Sequence, residues 1–164
     1  MRKTLVLAFT FCVTSAAFGQ TGGGGPIQMA TVTLGSSQLQ NLKGTPVSLV
    51  AAPGAGQLLN VISALAEYKF GTTPYAIPAR GRLNLVLGNP ANYEAPLDTS
   101  GMYGAGLLDQ TTKQIRFMPQ ASLGDSQGNF ENQPLLAIND SPAEWTNGDG
   151  TVTITVYYTI VALQ

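Results

Sequence analysis

Histidine is absent from this chain, cysteine occurs once, and only 10% of the residues carry a charge. Each scarcity closes a class of function. Without imidazole there is no Ser-His-Asp triad, no histidine acid–base pair and none of the common zinc sites. A lone Cys12 cannot form an intrachain disulfide, so stability must come from a hydrophobic core or from association of subunits. Eight basic residues stand against nine acidic ones, which leaves no cationic face to neutralise phosphates and argues against a nucleic-acid partner. No apolar run reaches the roughly 20 residues that a membrane-spanning helix needs.

What is present begins with Met1-Arg2-Lys3-Thr4, then an apolar run from Leu5 to Val13, then the small residues Ser15, Ala16, Ala17 and Gly19. That is the order of a secretory signal, so residues 1–19 are expected to be removed and the mature chain to begin near Gln20. Cys12 leaves with them. It is not a lipidation site, because Phe9-Thr10-Phe11 precede it where small residues are required. Loss of Arg2 and Lys3 leaves six basic residues against nine acidic, a net charge of −3. The expected location is the periplasm, the medium or the cell surface, and the virion if the gene start is misplaced. Thr21-Gly22-Gly23-Gly24-Gly25-Pro26 offers little to pack, and residues 20–26 read as a flexible arm.

Residues 27–164 read as a single all-β domain. Val152, Ile154, Val156, Tyr158 and Ile160 alternate with Thr151, Thr153, Thr155, Tyr157 and Thr159, a period of two that suits a strand facing a core on one side. Asn147-Gly148-Asp149-Gly150 just ahead is a turn signal. Further strands are expected at 27–34, 45–51, 57–70, 82–87, 106–109, 114–118 and 132–138, with Gly- and Pro-rich turns between them. Segment 57–70 stays open between strand and helix, because Leu58, Val61, Ile62, Leu65 and Ala66 also fit helical spacing. About eight short strands punctuated in this way make an antiparallel β-sandwich.

Several landmarks follow one another in order: Thr45-Pro46-Val47-Ser48-Leu49-Val50, Pro53-Gly54-Ala55-Gly56, Tyr68-Lys69-Phe70-Gly71-Thr72-Thr73-Pro74-Tyr75, Asn132-Gln133-Pro134-Leu135 and Gly148-Asp149-Gly150-Thr151. This string resembles a family of small β-sandwich modules of tailed-phage and prophage structural genes, over about residues 46–161. The resemblance implies a jelly-roll sandwich acting as a trimer in a virion appendage or decoration. The chain departs from that pattern at its start, since virion proteins assembled in the cytoplasm need no export signal.

Sites of chemistry are few. Pro53-Gly54-Ala55-Gly56-Gln57 lacks the Gly-Lys-Ser/Thr ending of a phosphate loop and reads as a turn. Asn147-Gly148-Asp149-Gly150 has Trp145 where a calcium loop needs its first oxygen ligand and no Glu at the required distance, so no metal is expected. Catalysis would fall to paired carboxylates, yet Glu67, Glu94, Asp98, Asp109, Asp125, Glu131, Asp140, Glu144 and Asp149 are scattered along the chain, mostly beside Gly, Pro or Asn. No enzyme activity and no cofactor are expected. Tyr93, Tyr103 and Trp145 fall in loops, where large amphipathic rings either lid the sandwich or stack on a sugar.

Three readings follow. One is an exported, non-enzymatic structural or surface-attachment module that self-associates, with a trimer favoured. Another is a domain binding a cell-surface glycan through Tyr93, Tyr103 and Trp145. A third is a fibre subunit whose residues 27–34 add to a neighbour's sheet edge. Intact mass spectrometry of protein recovered from the periplasm or medium should show a chain that starts near Gln20; the full-length mass would remove the export signal.

Overall fold

The computed structural model describes residues 25–88, 95–121 and 130–164. The segment expected to be a signal, residues 1–19, and residues 20–24 of the expected arm lie outside them. Seven strands are present among the described residues: β1 (Gln28–Leu34), β2 (Val47–Val50), β3 (Gln57–Lys69), β4 (Leu83–Leu87), β5 (Gln114–Pro119), β6 (Leu135–Asn139) and β7 (Thr151–Ala162). They form two antiparallel sheets, ordered β1-β7-β3-β5 and β2-β6-β4, so the expected all-β sandwich is what the chain adopts.

The pairings are nested. β1 pairs with β7, β2 with β6 and β3 with β5, as the rungs of one long hairpin would. Rolling that hairpin brings β7 against β3 and β6 against β4, which is the winding of a jelly roll. At the tip, β4 would meet an eighth strand in a complete roll. Among the described residues the chain makes an isolated bridge there, between Arg82 and Tyr103, with Leu83 N–H donating to Met102 O at 3.0 Å and Gly104 N–H to Gly81 O at 2.8 Å.

The strand expected at 106–109 is therefore corrected to a turn. Gly106 has φ of 90°, and its N–H donates to Asp109 Oδ1 at 2.6 Å. Leu107 and Leu108 are both buried, which consecutive residues of a one-sided strand cannot be. A second departure is the short helix α1 (Ser36–Gln40) where a simple turn was expected. One helical turn puts Leu39 and Leu42 on the same side, and both are buried.

Segment 57–70 resolves as strand. A bulge between Val61 and Ser63 inserts one residue against β7, so Leu59 and Val61 point inward before it and Ala64, Ala66 and Tyr68 after it. That switch of parity broke the alternation and produced the helix-like spacing. In β7 the alternation holds, with Val152, Ile154, Val156 and Tyr158 all buried.

Asn147-Gly148-Asp149-Gly150 is not the hairpin turn that Asp-Gly suggested. It carries the chain from β6 in one sheet to β7 in the other, and only Asn147 has a positive φ, 70°. Gly148 lies directly against the ring of buried Tyr75, whose hydroxyl donates to Gly150 O at 2.7 Å. A Cβ on Gly148 would overlap that ring. Gly148→Ala should cost about 1–3 kcal/mol, as overpacked sites do, read as a lower urea midpoint at unchanged slope.

Candidate functional site

Of the three aromatic residues singled out from the sequence, two lie among the described residues, and they differ in exposure. Trp145 is 1% exposed and belongs to the core, so its place in a binding face is corrected: the ring has no face open to a ligand. Tyr103 is 42% exposed. Tyr93 lies outside the described residues. Of residues 27–34, considered as a donor strand for a neighbour, residues 28–34 are paired with β7 of their own chain.

Four of the carboxylates read as solvated loop charges hold backbone groups of the chain. Glu144 accepts the backbone N–H groups of Lys43 and Gly44 at 3.0 and 2.7 Å. Asp149 accepts those of Thr72 and Thr73, both at 2.8 Å, and the Thr72 hydroxyl at 2.6 Å. Glu131 takes Gly56 N–H at 2.7 Å and Asp98 takes Ser100 N–H at 2.8 Å. Each ties down a connection between strands. Among the described residues no three acidic or sulfur ligands approach one another as a metal would require, and no helix is long and apolar enough to cross a membrane.

Beside β4 an open recess of about 380 Å³ is lined by Arg82, Asp98, Thr99, Pro119 and Gln120, among others. Arg82 Nη2 donates to Tyr103 Oη at 2.7 Å, and its guanidinium carbon sits 4.5 Å from the centre of that ring. Thr99 Oγ1 donates to buried Asn84 Oδ1 at 2.9 Å, which anchors the wall of the recess to β4. No pattern in the sequence marked Arg82 or Asp98 as neighbours.

The outer face of the larger sheet is divided. On β1 and β7 it is polar, with Thr31 and Thr33 hydrogen-bonded to Thr155 and Thr153 at 3.2 and 2.9 Å. Toward β3 and β5 its exposed large side chains are mostly apolar. Leu65 stands opposite Phe117, Ile115 lies opposite Glu67, and Tyr157 of β7 is opposite Ser63. Phe117 is 66% and Ile115 52% exposed, and Leu65 and Tyr157 are each more than a third exposed. Alternation alone would have turned Ile115 and Phe117 inward; in the fold Met118 of β5 is the buried residue. The adjoining β5 edge is guarded, because Arg116 Nη1 caps Ile115 O at 3.1 Å and Nη2 reaches Gly106 O at 2.7 Å.

No family model and no curated protein sequence matches this chain. Among solved structures it is similar to a chain of the cyanophage Pam1 capsid asymmetric unit, at 14% identity and a TM-score of 0.41, over 89% of this chain and 93% of that one.

The Asp149 clip makes a pH prediction. Hydrogen bonds from the Thr72 hydroxyl, then from the Thr73 and Thr72 amides, hold its carboxyl below the ordinary value of 3.8. Its contribution to stability is complete above that value and is lost as pH falls through the lower folded-state value. Asp149→Asn should lower the melting temperature at neutral pH, and the gap from wild type should close as pH is taken to about 2. A gap independent of pH would show that the charge is not what holds the loop.

Proposed function

We propose that this chain is an exported, non-enzymatic structural module that self-associates through the outer face of its larger sheet. The apolar cluster of Leu65, Ile115, Phe117 and Tyr157 carries this reading. Scattered exposed apolar side chains need no explanation, but neighbouring ones on one sheet face mark an interaction surface. A polar rim surrounds the cluster, with the Thr31 and Thr33 rows on one side and the Lys113–Glu67 ion pair at 2.9 Å on another. An apolar centre within a polar rim is the usual anatomy of a protein interface. The guarded β5 edge favours contact through the face over addition of strands.

The likeness of the turn and strand landmarks to phage structural modules agrees with a trimer built from copies of this chain. The absence of enzymatic chemistry is supported by the carboxylates, since those of Asp98, Asp109, Glu131, Glu144 and Asp149 accept backbone N–H groups of the chain's own loops.

Phe117→Glu tests the surface. Being exposed in the monomer, the substitution should leave monomer stability within about 0.5 kcal/mol, while weakening association by about 2 kcal/mol or more, as loss of a central aromatic does. Light scattering on the mature chain should show an oligomer for wild type and a shift toward monomer for the variant. A wild-type monomer at all concentrations would remove self-association, and a dimer or tetramer would remove the trimer.

A further inference from the structure

Arg82 has five N–H donors and, among the described residues, spends one of them, on Tyr103 Oη. Its Nε is buried without a partner among those residues. Stacking on the Tyr103 ring and the 2.7 Å hydrogen bond fix the head group in one orientation, at the wall of the recess beside β4. A guanidinium held in place before a ligand arrives loses little freedom on binding. Asp98 lines the same recess. Its Oδ1 accepts Ser100 N–H and the Ser100 side chain bonds to the same carboxylate, but the two oxygens together offer about four lone-pair sites, so a further donor can be accepted. Hydrogen bonds from Ser100, with a smaller influence from the Arg82 charge, hold this carboxyl below its usual range, so it stays ionised at neutral pH. The ion pair found among the described residues joins Lys113 to Glu67; Arg82 and Asp98 share the recess without closing on each other.

We propose that this recess binds a neutral saccharide, with Arg82 donating to and Asp98 accepting from hydroxyls of one sugar unit. Net charge decides the class. An anionic ligand drawn to Arg82 meets Asp98, and a cationic one drawn to Asp98 meets Arg82, whereas a polyol satisfies both. Thr99, Ser100 and Gln120 add polar groups, and Pro119 adds an apolar surface for a sugar's C–H face. A peptide is less well served. It would need free backbone groups along the rim, but Asp98 N–H already donates to Pro119 O at 2.9 Å and Ala121 N–H to Pro96 O at 3.0 Å. Tyr103 acts here as a positioning residue that holds Arg82. The site adjoins the end of β5 through Pro119, but Arg82 and Asp98 are not part of the apolar cluster, so their variants test sugar binding while Phe117→Glu tests self-association.

The test is a nuclear magnetic resonance titration of the mature chain with maltotriose, mannotriose, N-acetylchitotriose, trigalacturonic acid and trialanine. At least one neutral trisaccharide should give saturable shifts of the amides of residues 98–100 and 120. Arg82→Gln and Asp98→Asn should each weaken that binding at least about tenfold, the scale of a hydrogen bond to a charged group. In Asp98→Asn the new amide oxygen still accepts Ser100 N–H but without the charge, so the melting temperature should fall a little at neutral pH while the amide spectrum away from the recess stays that of the wild type. Tyr103→Phe keeps the ring, loses the hydroxyl and should fall between wild type and Arg82→Gln. No shifts from any neutral trisaccharide up to about 10 mM, a range that covers weak binding, would overturn the proposal. So would tighter binding of trigalacturonic acid or trialanine, or undiminished affinity in both charge variants.

Discussion

The pairing of β3 with β7 holds the two longest strands of the chain together from Gln57↔Ala162 to Lys69↔Thr151. Among the described residues β1 has no sheet neighbour except β7, and β5 none except β3, so the larger sheet exists only where this pair has formed. Its inner surface combines small and branched residues: Ala64 lies opposite Val156 and Ala66 opposite Ile154, all fully buried. Small residues beside β-branched ones leave room for leucines from the facing sheet, and Leu83, Leu85 and Leu135 supply them. The two strands are distant in sequence, so their meeting carries a loop-closure cost that the buried surface must offset.

Around this pair the long connections are fastened by carboxylates. Disulfides do this work in many exported domains; here Glu144, Asp149, Glu131 and Asp98 each grip backbone amides of a connection. A charged acceptor strengthens such a hydrogen bond relative to a neutral one. The result is a domain with 10% charged residues in which much of the negative charge is turned toward the protein's own loops.

How much could be read in advance differed from element to element, for physical reasons. β7 was plain because its alternation runs unbroken and only one face meets the core. β3 was ambiguous because a single inserted residue reverses which side is inward, and a bulge leaves no composition signature. The strand expected at 106–109 failed because two adjacent leucines can be buried in a turn as readily as in a sheet. Trp145 was misplaced for a related reason, since a ring in a connection between sheets is drawn inward by tertiary packing that periodicity does not record. Arg82 and Asp98 could not be paired from sequence at all. The fold brings them to one recess because the chain turns back at Tyr103 to bridge Arg82, a return across the edge of β4 that no local pattern announces.

The carboxylate clips also divide the chain into positions that can drift and positions that cannot. What Glu144 recognises at Lys43 and Gly44, and what Asp98 recognises at Ser100, is a peptide N–H, which every residue except proline supplies. The gripped loops are therefore free to change their side chains, and with them the chemistry of the surface, while the gripping acid stays put. A scaffold fastened in this manner can be re-dressed at its connections without being refolded, and it does so independently of the redox state of its surroundings.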